Sequence, residues 1–304
     1  MFRKVGAGVA LLVLLTSLLS AQRATLPQAL QTMIETERAF AARALVTGWK
    51  QAFLEYFSDD AVGFTDGRAG SAKAQIEANP DPPKDLQLLW EPRYGDVAAS
   101  GELGFLTGPA RRINPARNKG LPVHSVYSSI WKRERDGTFK VVLDVGIPTP
   151  GPATFPPGVT RVGITNRFTG DYDERTPPLA AADQVLNSAL RSSPSRAYRD
   201  RLAPGARLHR PNQMPLVGER AILSRLGSQR PLAAADNRYA EAARSGDIGY
   251  TWGTYATRAA PRGNGTASPA GRGAAGGERG FYVRVWMRER SGQWKVALDV
   301  TQPQ

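Results

Sequence analysis

Residues Tyr127 to Val145, YSSIWKRERDGTFKVVLDV, are matched without a gap by Tyr282 to Val300, YVRVWMRERSGQWKVALDV, with 11 of 19 positions identical. Each stretch holds two runs rich in β-branched and aromatic residues around a short polar break, Asp136-Gly137 in one and Ser291-Gly292 in the other. That is the pattern of a closing β-hairpin, and it occurs twice. Upstream, Arg93 to Phe105 (RYGDVAASGELGF) aligns with Arg238 to Tyr250 (RYAEAARSGDIGY), with six of 13 positions identical. The offset is 145 residues in the first block and 155 in the second. The extra ten residues fall on PRGNGTASPAGRGAAGGERG, Pro261 to Gly280, which reads as a Gly-rich loop inserted in the second copy. An internal repeat of this length means two similar domains.

Between the copies the chain carries Pro148, Pro150, Pro152, Pro156, Pro157, Pro177 and Pro178. Proline breaks helices and central strands, so 149–179 is expected to be a Pro/Gly-rich linker wrapping the surface as an extended tether, with an edge strand near Thr160 to Thr165. The organisation expected is 1–21 signal peptide, 22–148 first domain, 149–179 linker and 180–304 second domain with its loop at 261–280. Ahead of the strands, Leu30, Met33, Ile34, Phe40, Ala41, Ala44 and Leu45 recur at helical spacing. Trp49, Phe53 and Phe57 continue after Thr47-Gly48 as a second helix, and Ser71 caps a third that runs to Ala78. Strands are expected at Ala61 to Phe64, Leu86 to Tyr94, Leu103 to Thr107, Val123 to Arg135 and Phe139 to Val145. The second copy repeats the order, with helices over Val185 to Leu202 and Glu219 to Leu226. Helices followed by a curled antiparallel sheet make an α+β cone, present twice.

The chain begins MFRKVGAGVALLVLLTSLLSAQ, with Arg3 and Lys4 ahead of an apolar run from Val5 to Leu19 and small residues Ser20 and Ala21. This reads as a secretory signal peptide cleaved near Ala21 and implies an exported protein, periplasmic or secreted, with no transmembrane segment in the mature chain. The 304 residues contain no cysteine, which excludes a disulfide scaffold, a thiolate metal site and a cysteine nucleophile. Forty basic residues against 27 acidic give +13. The basic residues are mostly Arg and are spread without a dense run, so the charge reads as a soluble cationic surface and no nucleic-acid partner is expected.

The segment AFLEYFSDDAVGF, Ala52 to Phe64, together with the SGELGF and SGDIGY blocks and the closing W-x-R-E-R-x-G hairpins, resembles the NTF2-like superfamily. Within it, the SnoaL-like and DUF4440 domains of exported bacterial proteins are the most similar. The resemblance covers Leu26 to Pro148 and Ala181 to Pro303, and it implies two tandem NTF2-like cones, N-terminal helices packed on a curved antiparallel sheet. The superfamily includes isomerases, cyclases, dehydratases and binding modules, so fold does not give function. In its steroid isomerases a carboxylate base and a Tyr stand at positions that correspond here to Thr65 and Ala41, and in the second copy to Arg210 and Leu186. Neither Thr nor Arg can abstract a proton as a carboxylate does near neutral pH. Asp66 is one residue away and would reach the cone only if a bulge at Gly63 shifted the strand.

Catalytic candidates are therefore Asp66, His124 and Asp144, and no metal site or cofactor is expected, because His124 and His209 are the only histidines and fall one per domain. Ligand-binding candidates are Tyr127, Trp131, Trp90, Tyr282, Trp286, His209 and Asp299, since aromatic stripes that form a cone's core also form its pocket wall. Asp144 and Asp299 are the acids of V-x-L-D-V in both copies. They are expected opposite Val141, Leu143 and Val145 on the strand, and could instead be structural partners of Arg93 and Arg238. Three readings stand: a binding module for a small apolar or anionic molecule; a SnoaL-like enzyme with its site in domain 1; and an envelope interaction scaffold. The two domains are expected to pair with each other through their sheets.

Overall fold

The computed structural model describes residues 26–170, 178–259 and 277–304. The signal peptide expected at 1–21 and residues 261–276 of the Gly-rich stretch lie outside the described residues. In the first half, α1 (Gln28–Thr47) ends at Gly48, whose φ of 83° suits glycine, and α2 (Trp49–Tyr56) follows. Next come β1 (Phe57–Thr65), β2 (Arg68–Ser71), α3 (Ala72–Ala78), β3 (Gln87–Trp90), β4 (Tyr94–Val97), β5 (Leu103–Ile113), β6 (Val123–Arg133) and β7 (Phe139–Pro148). Ser71 caps α3 by accepting from the Ala74 N–H at 3.3 Å.

The second half repeats the plan: α4 (Leu179–Leu190), α5 (Pro194–Tyr198), β8 (Leu202–His209), β9 (Leu216–Val217), α6 (Glu219–Gly227), β10 (Leu232–Ala242), β11 (Ile248–Thr257), β12 (Arg279–Arg288) and β13 (Trp294–Pro303). The sheet paths correspond. They run β2-β1-β7-β6-β5-β3, with β4 on β5, and β9-β8-β13-β12-β11-β10. In each, only the first strand after the helices is parallel to the closing strand. Both closing hairpins turn on a glycine at φ 88°, Gly137 and Gly292.

A β-bulge interrupts both closing strands, between the pairs Ile130↔Leu143 and Trp131↔Val141 in one and Val285↔Leu298 and Trp286↔Val296 in the other. The extra residue, Val142 or Ala297, breaks the alternation. Val141 and Val296 therefore pack under the helices, while Leu143, Val145, Leu298 and Val300 face the other half. Simple period-two reading put Val141 with Leu143 and Val145, and the bulge corrects it.

The two sheets share one buried core. Phe105, Val126, Ile130, Leu143, Val145 and Ile147 pack with Ile248, Tyr250, Val283, Val285, Leu298 and Val300. Burial of each such side chain is worth about 1.5–3 kcal/mol, which makes this seam a main stabilising contact. Its polar rim is a pseudo-two-fold: Ser100 and Ser245, equivalent in the repeat, bond each other at 2.8 Å, and each hydroxyl accepts the other's backbone N–H. Likewise Asp247 accepts from the Ala99 N–H, and its counterpart Glu102 from the Arg244 N–H.

The connector is not a surface tether. Ala153 and Val162 are buried in the shared core, with Phe155 and Ile164 against it. Thr160 makes a single bridge to Tyr94 rather than an edge strand. Arg161 and Arg167 pair with buried Asp96, and Arg167 also reaches buried Asp247 at 2.5 Å. Its prolines exclude regular structure but leave apolar and cationic side chains free to wedge between the sheets. Among the described residues, no helix is long and apolar enough to cross a membrane.

Candidate functional site

In the second half, α4, α5, α6 and the concave sheet face enclose a cavity of about 500 Å³. Its walls mix apolar side chains, Leu190, Pro194, Leu208, Leu226 and Leu232, with polar ones, among them Gln213, Arg225, Gln229, Tyr255 and Glu278. Its floor is a buried ionic network. Arg284 on β12 donates through Nε to Asp299 at 2.6 Å and through Nη1 to Asp183 and Asn187, both at 2.7 Å, and it stacks on the Tyr282 ring at 4.0 Å. Arg210 reaches the other Asp299 oxygen at 2.6 Å, and the Tyr198 hydroxyl also donates to Asp299. Burial pushes the Asp299 carboxyl upward, but Arg210 and Arg284 more than offset it, and the acid lies below its usual range. Burial likewise opposes the charge of Arg284, and Asp183 and Asp299 hold it protonated.

The first half has the same architecture with different contents. Its cone is packed by rings around Phe40, with Phe53, Tyr56, Trp90, Phe57 and Trp131 at centroid distances of 4.8 to 6.4 Å. Glu37 on α1 is fully buried and accepts from the Trp90 indole at 2.6 Å, the Trp131 indole at 2.9 Å and the Ser129 hydroxyl at 3.2 Å. Ser129 also lies 3.0 Å from Asp144. Burial raises Glu37 to about 8, with Asp144 adding to the effect, and raises Asp144 to about 7.

Asp144 and Asp299 thus bond Ser129 and Arg284, not Arg93 and Arg238. The bulge turns both acids to the concave face. Tyr127, Ser129 and Trp131 share that face in the first half, and Tyr282, Arg284 and Trp286 in the second. Trp286 donates to Thr251 at 3.0 Å, and Tyr282 donates to Asp183 at 2.6 Å. His209 points the other way: it is buried against the first half, its Nδ1 is 3.4 Å from Ser128, and burial with Arg207 and Arg210 nearby lowers it to about 3. His124 shares the outward face of β6 with Val126 and Ser128 and lines a groove of about 290 Å³ beside Trp90 and Arg111. Asp66 occupies the exposed β1–β2 turn at φ 47°, outside the cone. Gly63 pairs with Gly70 in unbroken register, so no bulge brings Asp66 inward. Of the isomerase positions, Thr65 bonds Gln75 at 2.8 Å on the exposed rim, and Arg210 is committed to Asp299.

Sequence reasoning missed Glu37 and Asp183. Glu37 stands between Met33 and Phe40, and Asp183 between Leu179 and Leu186, so each acid interrupts an apolar helix stripe. That was the available signal.

Helices leading into a curved antiparallel sheet, with a parallel first strand beside the closing hairpin, define a known architecture. Each half is similar to the NTF2-like fold. Similar solved structures include a protein of Parabacteroides distasonis provisionally named a ketosteroid isomerase, 10% identical, covering 45% of this chain and 96% of that one with a TM-score of 0.33. A second is a provisionally named dehydratase of the NTF2-like family from Streptomyces avermitilis, 13% identical, covering 40% and 91% with a TM-score of 0.32. A third, an NTF2-like protein of unknown function from Shewanella oneidensis, is 11% identical and covers 38% and 97% with a TM-score of 0.30. No protein-family model and no curated protein matches the chain.

Proposed function

We propose that the chain is an exported, non-catalytic small-molecule binding module, DUF4440-type in both halves, whose ligand occupies the cone of the second half. The observation that carries this is the contrast between the cones: about 500 Å³ of space over an Arg–Asp floor in one, an aromatic plug in the other. The apolar part of the wall, Leu190, Pro194, Leu208, Leu226 and Leu232, suits a small alkyl or aryl body, and the polar part gives it hydrogen-bond partners. Arg284 keeps Nη2 outside its bonds to Asp183, Asn187 and Asp299, and there it offers an N–H donor to a carbonyl or carboxylate oxygen at the floor. The N-terminal segment, with its basic start and apolar run, supports release into the periplasm or medium.

Thr301 lines the cavity and is half-buried, so Thr301→Trp places an indole in the space without removing core. Thermal-shift titration with short aryl and alkyl carboxylates and ketones should yield ligands that raise the Tm of the parent and leave Thr301→Trp unmoved. If every stabilising compound acts equally on both proteins, the second cone is not the site.

A further inference from the structure

We propose that the open groove at the seam between the halves, beside the β6–β7 turn, docks an extended segment of a partner protein in which an arginine is followed by an aromatic residue. The groove has a volume of about 520 Å³, and the chain contains its occupied twin. Across the pseudo-two-fold, the connector lies along the β12–β13 turn as a short added strand. The Phe168 N–H donates to the Arg288 C=O at 3.0 Å, the Arg290 N–H donates to the Asn166 C=O at 2.7 Å, and Arg167 stands opposite Glu289. The Arg167 guanidinium reaches Asp247 at 2.5 Å, Asp96 at 3.3 Å and the Val97 C=O at 2.6 Å. The Phe168 ring lies 4.1 Å from the Arg288 guanidinium.

The two offsets of the repeat carry each of these partners into the groove. Asp247 becomes Glu102, Asp96 becomes Glu241, Val97 becomes Ala242, and Arg288, Glu289 and Arg290 become Arg133, Glu134 and Arg135. All six line the groove. The backbone is set in the same way. The Arg133 N–H donates to the Glu102 C=O at 2.7 Å, as the Arg288 N–H does to Asp247 at 2.8 Å, and Gly137 closes its turn onto Glu134 as Gly292 does onto Glu289.

What the connector satisfies in the twin is left over here. No hydrogen bond among the described residues uses the Arg135 N–H, whose counterpart donates to Asn166. Glu102 Oε2 is buried without a hydrogen-bond partner, whereas Asp247 Oδ2 takes Arg167. Arg133 has one ring within cation–π distance, Phe139, where Arg288 has two, Trp294 and Phe168. A strand backbone, a guanidinium and an adjacent aromatic ring answer these needs together, and only a peptide supplies all three. Among the lining positions just two differ in charge between the niches: Lys132 replaces Met287 and Arg244 replaces Ala99. In the chain alone these cations meet Glu241 at 2.5 Å and Glu102 at 3.6 Å. Their side chains are 43% and 77% exposed, so exchanging them for an incoming guanidinium costs little.

The test is fluorescence anisotropy of a dye-labelled peptide with the connector's own sequence, Ile164 to Thr169, titrated with the purified chain. A peptide with glutamine in place of its arginine is the control. The arginine peptide should bind and the glutamine peptide should not. Glu102→Gln should weaken binding at least about tenfold by removing the charge that pairs with the guanidinium. Arg135→Pro should also weaken it: proline suits the second position of the Glu134–Gly137 turn, and the change deletes the free N–H together with a positive charge, so a loss reports the backbone bond and not repulsion. Lys132→Met, which restores the twin's residue, should tighten binding by about threefold. Opposite effects of Glu102→Gln and Lys132→Met do not arise from misfolding. Thr301→Trp should leave peptide binding unchanged, which separates this groove from the cavity of the second half. Failure of the arginine peptide to bind, equal binding of the glutamine peptide, or binding unaltered by both Glu102→Gln and Arg135→Pro would overturn the proposal.

Discussion

Replacing Asp144 by Asn should stabilise the protein at alkaline pH and leave it unchanged in acid. Asp144 moves from 3.8 to about 7 in the folded chain because burial disfavours its charge, with Ser129 its one hydrogen-bond partner and Glu37 the nearest like charge. A raised acid binds more protons folded than unfolded between those two values. The stability it supplies is complete below about pH 3.8, declines as pH rises, and is gone above about pH 7. At about 1.4 kcal/mol per unit the full shift is worth about 4 kcal/mol, and partial solvent access to the carboxyl halves it to about 2 kcal/mol. Asn keeps the shape, donates to Ser129 and cannot ionise. At pH 8 it should therefore gain about 2 kcal/mol over the parent, or about 4–8 °C in Tm, and near pH 4 nothing. Thermal melts followed by circular dichroism at both pH values check this. A variant less stable than the parent at pH 8, or one with the parent's pH slope, would show that the pair is not strained by its second charge.

Arg284→Met should be the most damaging single change on the concave face, since it removes the only cation paired with buried Asp183 among the described residues and leaves Asp299 with Arg210 and Tyr198 alone; urea unfolding should show a loss of about 3–5 kcal/mol. Arg167→Ala removes the connector's bridge between buried Asp96 and Asp247, and a loss of similar order, about 3 kcal/mol, should appear in the same assay. His209 has a lowered affinity for protons, so its contribution is present above about pH 6.5 and is lost as pH falls toward about 3. His209→Phe should flatten stability across that acid window, as measured by melts from pH 3 to 6.5. Ser100→Trp, placed on the pseudo-two-fold against Ser245, should weaken the seam by about 1–3 kcal/mol, read from the same urea curves.

The repeat made the fold legible before any coordinates, because hairpin and helix periodicities are local and here were written twice. Tyr127, Trp131, Tyr282 and Trp286 were placed correctly on the concave faces by strand alternation alone. Alternation failed at Val142 and Ala297, where one inserted residue reverses the phase and no composition marks it. The connector was misread because its prolines describe backbone habit, while Val162, Arg161 and Arg167 are held by tertiary partners more than 60 residues away. Candidate chemistry was sought in the first half, yet the open space is in the second. What fills a cone is the sum of ring sizes at Phe40, Phe53, Tyr56 and Trp90 against Leu186, Leu190 and Leu226, which no single motif encodes.

The central claim, a ligand in the second cone, is tested most directly by mass spectrometry of the small molecules that stay with the purified chain. The parent should release on denaturation a compound with an apolar body and a carbonyl or carboxylate oxygen, at near one per chain, and Thr301→Trp should release none. The same compound recovered in equal amount from both proteins would contradict the account.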